Sequence, residues 1–268
     1  MSRTLRPIML ALAALAAASC GEPAPEGTFD KVDPARVEDY IRSDSHRRLV
    51  LEVDYVSGHA PSPESIAQLV DGLDGLVDKP GGVEVVLDEA LAAGGDDDVW
   101  TLSRIDAVER DTFDLDVDAE TIKMHVLFLD GHYERDTADT QILGLSWANR
   151  NVVVFKERLD ETCANDSGET LRRRGLVEKA CQQTELAIWT HEVGHALGLV
   201  ANGLPMVDDH QDPAHPHHDH NDACVMHWAY DRAQAFDEVR KRVVDDEDAP
   251  PLGFDDACRA DIAAMRER

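Results

Sequence analysis

Apolar and polar positions alternate from Leu49 to Val56, the period of a strand with one face buried. The period then changes. Pro61-Ser62-Pro63-Glu64 opens a helix, and Ile66, Leu69, Val70, Leu73 and Leu76 follow at helical spacing. Lys79-Pro80-Gly81-Gly82 is a turn, after which Val83 to Leu87 forms a second strand. Ile122 to Leu129 is a further strand, and Gly144-Leu145-Ser146-Trp147 with Val152-Val153-Val154-Phe155 gives another. A long helix is expected over Leu176–Val200. Beyond it come a histidine-rich loop, the segment Cys224-Val225-Met226-His227, and helical stretches near Arg232–Val244 and Asp255–Arg266. Asp96-Asp97-Asp98 and Asp111–Asp118 are acidic stretches whose spacing does not fit a helix-flanked calcium loop, so they read as solvated loops or edges. There are no internal repeats. The order predicts an α/β fold: a twisted mixed sheet with helices packed on it, one long helix, and a smaller, loop-rich, helical C-terminal subdomain.

The N-terminus adds a destination. Arg3 and Arg6 precede an apolar run from Ile8 to Ala18, the pattern of a secretory signal and too short to span a bilayer stably. It ends in Leu15-Ala16-Ala17-Ala18-Ser19-Cys20-Gly21, which resembles a bacterial lipobox with Ala17 where Leu is commoner. That resemblance implies cleavage before Cys20 and its acylation. The expected organisation is a signal peptide over 1–19, a lipidated tether over 20–45 and one domain over 46–268. Of the 268 residues, about 220 then remain to fold, enough for one large domain. The chain is expected to be exported and held at a cell or outer membrane through its lipid only, as a monomer.

Charge excludes some partners. The formal net charge is −28, so the chain lacks the basic face that nucleic acid or anionic lipid requires. Cys163, Cys181, Cys224 and Cys258 remain once Cys20 is set aside. An even number in an exported chain predicts two disulfides, with three pairings open. Free or metal-bound thiols are the alternative.

The chemistry lies on the long helix. His191 and His195 are four residues apart, which puts both imidazoles on one face, one turn apart. Zinc takes imidazole nitrogens at about 2.0–2.1 Å, and this spacing supplies two without distorting the backbone. Glu192 is placed to act as the general base toward water activated by the metal. The flanking residues Leu186, Ala187, Ile188, Trp189, Val193, Ala196, Leu197 and Leu199 are apolar, as a buried helix requires, and buried imidazoles need a partner such as a metal.

His191-Glu192-Val193-Gly194-His195-Ala196-Leu197-Gly198 resembles the first eight positions of the metzincin signature H-E-x-x-H-x-x-G-x-x-H. Cys224-Val225-Met226-His227-Trp228 resembles the Met-turn of that family, with Met226 as its methionine. The resemblance implies a zincin fold, a sharp turn at Gly198, a third histidine ligand and hydrolysis of peptide bonds in a peptide or protein substrate. Ala201 stands where the third histidine is expected. An insertion before that ligand is known in leishmanolysins, which leaves the loop histidines as candidates. His218, six residues before Cys224, occupies a position similar to the third histidine of archaemetzincins, with Asp219 where a cysteine follows. His220, His210 and His215 are the alternatives. Trp228 stands where some subfamilies carry a tyrosine, and Tyr230 is out of register. The strand around Gly144–Phe155 is the candidate edge for an extended substrate. A zinc-binding surface lipoprotein without peptidase activity is the competing expectation. Counting protein ligands at the metal separates the two, since a catalytic site keeps an open position.

Overall fold

The computed structural model describes residues 34–94, 98–137 and 140–268. The signal segment, the Cys20 acylation site and the first part of the tether lie outside the described residues, as do Asp96 and Asp97. The elements in chain order are α1 (Val37–Ile41), β1 (Arg48–Val56), α2 (Pro63–Asp74), β2 (Val83–Leu91), β3 (Val99–Trp100), α3 (Leu102–Thr112), β4 (Thr121–Leu129), β5 (His132–Tyr133), β6 (Gly144–Trp147) and β7 (Asn151–Phe155). They continue with α4 (Lys156–Asp166), α5 (Gly168–Arg174), α6 (Val177–Ala196), a 3-10 turn (Trp228–Asp231), α7 (Gln234–Asp245) and α8 (Asp256–Arg266). The main sheet has the order β2-β1-β4-β7-β6. All neighbours are parallel except β6, which runs antiparallel to β7 at the edge. The protein is thus a mixed α/β fold with a mostly parallel sheet.

Strand alternation decides which residues meet which layer. Leu49, Leu51, Val53, Met124, Val126, Phe128, Val152 and Val154 join the larger core cluster with Ile188, Trp189 and Val193 of α6. The intervening residues Leu127, Leu129, Val153 and Phe155 pack in a second cluster with Trp100, Leu102 and Ile105 around α3. Both faces are therefore covered, as parallel strands require. The two buried carboxylates of β1 are paired. Glu52 meets Lys123 at 2.6 Å and Asp54 meets His125 at 2.8 Å.

Three expectations change here. The stretch Gly144–Phe155 is a hairpin of two strands, because Ala148 (φ 56°) and Asn149 (φ 47°) take the left-handed conformation that reverses the chain. Residues 34–45, expected as tether, hold α1, and its Val37, Tyr40 and Ile41 are buried in the core. Of the two expected disulfides, Cys163 and Cys181 are joined, linking α4 to α6, whereas Cys224 and Cys258 are free thiols with sulfurs 3.8 Å apart. No helix among the described residues is long and apolar enough to cross a membrane.

Buried Lys79 anchors this N-terminal part. Its ammonium donates to the carbonyls of Asp39 (2.5 Å), Arg42 (2.5 Å) and His46 (2.8 Å), so it closes the open end of α1 and the turn after it. Lys79→Met is expected to cost about 2–4 kcal/mol, because three part-buried carbonyls lose a charged donor at once. Urea unfolding of the full chain measures this, and a change below about 0.5 kcal/mol would show that α1 is not held this way.

Candidate metal centre

Helix α6 is buried on nearly every side from Gln183 to Ala196, its polar residues Thr184, Glu185, His191 and Glu192 included. It stops at a left-handed glycine. Gly198 has φ +83°, its N–H donates to His195 O (2.9 Å), and the N–H of Leu199 donates to Gly194 O (3.1 Å). That pair of bonds is a Schellman closure, which favours glycine at this position. Asn149 and Asn202 side-chain amides also donate to His195 O. The last turn of α6, which carries His195, is held rigidly as a result.

The segment from His210 to Met226 folds back over this turn. One ring nitrogen each of His191, His195 and His218 falls within 4.8 Å of the others, and all three residues are buried. His191 Nδ1 donates to Val225 O (2.7 Å) and His218 Nδ1 to Pro216 O (3.0 Å). With a proton fixed on each Nδ1, each Nε2 presents a bare lone pair inward. Nε2 of His195 lies 3.0 Å from Nε2 of His191. Burial holds the imidazoles neutral: His191 is pushed down to about 4 and His218 to about 2. His195 is lowered well below its ordinary value by burial and then by His191, His218 and His217.

Glu192 lies beside them, fully desolvated, with Oε1 lacking a hydrogen-bond partner in the protein. The same holds for His218 Nε2. Burial, and then the nearby Asp231 carboxylate, raise the Glu192 pKa well above its ordinary value, while a hydrogen bond from Ser146 opposes the shift. Gly144 leaves room for this carboxylate, since a Cβ there would lie 2.4 Å from Glu192 Oε1. Three converging neutral imidazoles and two buried atoms without partners fit a divalent cation with zinc's preference for nitrogen ligands. His191, His195 and His218 are the residues that would hold it.

Of the other loop histidines, His210, His215 and His220 are occupied as props, whereas His217 has a buried Nδ1 without a hydrogen-bond partner. His210 sits between Asp219 (2.6 Å) and Asp261 (3.0 Å). His215 bonds Asp212 (2.7 Å) and stacks on Trp228. His220, exposed, bonds the carbonyl of His210. Asp219 fixes the residue before it: its N–H donates to Met226 O (2.8 Å) and its carboxylate meets His210, Asn221 N–H and the Cys258 thiol. Asp219, Cys224, Asp255 and Cys258 bring one potential ligand atom each within 4.8 Å, so this second group ties the loop to α8. A hydrogen bond with Cys224, and then burial, raise the Cys258 thiol and keep it protonated.

Met226 is buried against α6 between the two helix histidines, and a Cβ on Gly194 would lie 2.3 Å from its Sδ. Ala201 is exposed, with φ 59°. Tyr230 is buried and donates to Asp222 O (3.2 Å), away from the imidazoles. Gly144 and Asp231 are site residues that no pattern in the sequence singled out. A conspicuous space beside a glycine or a lone aspartate in Trp-Ala-Tyr-Asp carries no periodic signal.

No protein-family model matches the chain, and no curated protein matches it. Among solved structures, it is similar to archaemetzincin from Methanopyrus kandleri at 15% identity, over 84% of this chain and 98% of that one, with a TM-score of 0.45.

Two outcomes follow from the geometry. Gly194→Ala is expected to cost about 1–3 kcal/mol, because the new methyl meets Met226 and Phe254 in a closed core; a melting temperature equal to wild type would contradict the packing. The second concerns pH. Burial alone would lower His210, but its bonds to Asp261 and Asp219 outweigh this and raise its pKa. A raised folded value means the clamp's stabilisation is complete below about pH 6.5, the unfolded histidine's value, and is lost as pH climbs through the folded one. The stability gap between wild type and His210→Gln should therefore narrow as pH rises above about 6.5. A gap that widens over that range would have the wrong sign.

Proposed function

We propose that this chain is a zinc-dependent endopeptidase of the zincin type. The observation that carries the reading is a buried carboxylate, Glu192, set beside three converging imidazoles with no fourth histidine or cysteine in the group among the described residues. A structural zinc site would be closed by four protein ligands, whereas three leave a side open for chemistry. A pure metal-storage site does not need a desolvated base next to its ligands.

A bound zinc would supply Lewis acidity and lower the pKa of water toward about 7. The protein's own part is proton handling and positioning. Glu192, raised by burial, accepts a proton at its carboxylate and returns it to the leaving amine. His191 and His218 stay in one tautomer because their Nδ1 protons are committed to backbone carbonyls. Met226 packs under the ligands as an apolar floor and takes no part in ligation. Strand β6, at the sheet edge and lying against Glu192 through Gly144, would receive an extended peptide by adding a strand to the sheet. In this reading the enzyme is exported, tethered by an acylated Cys20, monomeric and directed at peptide or protein substrates.

Glu192→Gln is expected to retain zinc and to lose about 10²–10⁴-fold in kcat/KM on a peptide library. His218→Ala is expected to lose zinc on dialysis, while His215→Ala and His220→Ala keep it. Near-full turnover by Glu192→Gln would refute the catalytic assignment, and zinc retention by His218→Ala would refute the ligand assignment.

A further inference from the structure

Three neutral imidazoles offer lone pairs but no charge. A divalent cation buried among them needs negative charge close by, because an isolated ion in a low-dielectric interior is costly. Glu192 supplies one such charge. Asp231 is the second carboxylate in the neighbourhood. It is buried, at the end of the 3-10 turn that follows the Met226 segment. Its Oδ2 lies 3.9 Å from His218 Nε2, the atom that faces inward. It stands outside the three-imidazole group whose ligand atoms close to within 4.8 Å.

Its backbone is fixed as well. The N–H of Leu143 donates to Asp231 O (2.8 Å), and Ile142 pairs with Arg232 in a short antiparallel bridge. This seam joins the C-terminal part to the chain just before β6, so the carboxylate cannot swing away freely. Arg232 Nε lies 3.3 Å from Asp231 Oδ1, on the other oxygen from the one facing His218.

We propose that Asp231 is a charge-compensating carboxylate of the metal centre, which strengthens cation binding at His191, His195 and His218 without itself joining the ligand set. Arg232 sets how much of that charge reaches the metal, by neutralising the outer oxygen. Asp231 is accordingly a positioning residue of the site. The proposal rests on the reading of the three histidines as a zinc site.

The test is zinc affinity of the full-length protein at fixed pH, by competition with a chromophoric chelator. Circular dichroism melting of the metal-free forms is followed in parallel. Asp231→Asn keeps the shape and should bind zinc about 10–100-fold more weakly, the usual cost of removing such an outer partner. Arg232→Gln should shift affinity the other way, roughly threefold tighter, since it frees negative charge next to His218. The opposed signs matter. If Asp231 and Arg232 formed only a structural ion pair, both variants would lower the metal-free melting temperature alike and leave affinity unmoved, and the proposal would be overturned. Equal weakening by both would overturn it too. Wild type that takes up no zinc would bring down the zinc-site reading together with this one, whereas wild-type binding with an unaffected Asp231→Asn removes this one alone.

Discussion

Two hydrogen bonds aim the site: His191 Nδ1 to the Val225 carbonyl and His218 Nδ1 to the Pro216 carbonyl. Each commits a proton to the outer nitrogen and leaves a lone pair on the inner one. The first also requires that the segment holding Val225 lie at a fixed height above α6. The geometry of the imidazoles is therefore a property of the return path from Gly198 to Met226, and much of the rest of the C-terminal half serves to hold that path.

Several independent contacts do this. The Schellman closure at Gly198 ends the helix directly after His195. Gly194 has no side chain, so Met226 can lie against the helix between the two histidines. Asp219 is gripped by His210, Asn221, Cys258 and the Met226 carbonyl, and it carries its neighbour His218 inward. Asp261 of α8 grips His210 from the other side. Residues locked by packing and hydrogen bonds in this way are what a metal site needs if its ligands are to stay in place before the ion arrives.

The sequence was most legible where a period or a spacing repeats. β1, α2, β4, α7 and α8 follow from apolar patterning, and His191-Glu192-x-x-His195 follows from helix geometry alone. Legibility failed where the signal is not local. α3 is amphipathic but rich in charge, and its buried Glu109 is paired with Arg150, a partner that no local window on the chain reveals. α1 looks like linker because its burial depends on the ammonium of Lys79, over thirty residues downstream. In the loop, five histidines share one composition. What separates His218 is burial together with an inner Nε2 that has no partner, whereas His210 has a carboxylate on each ring nitrogen, His215 bonds Asp212 and His220 is exposed.

A metal bound to this chain is expected to meet three imidazoles and one further light atom, with no thiolate. Zinc-edge X-ray absorption on the purified protein reads this directly. The expected result is a four-atom nitrogen and oxygen shell at about 2.0–2.1 Å, with outer-shell scattering that fits three imidazoles. A shell containing sulfur at about 2.3 Å would contradict it, because the metal would then sit at Cys224 and Cys258 and the three histidines would not be its site.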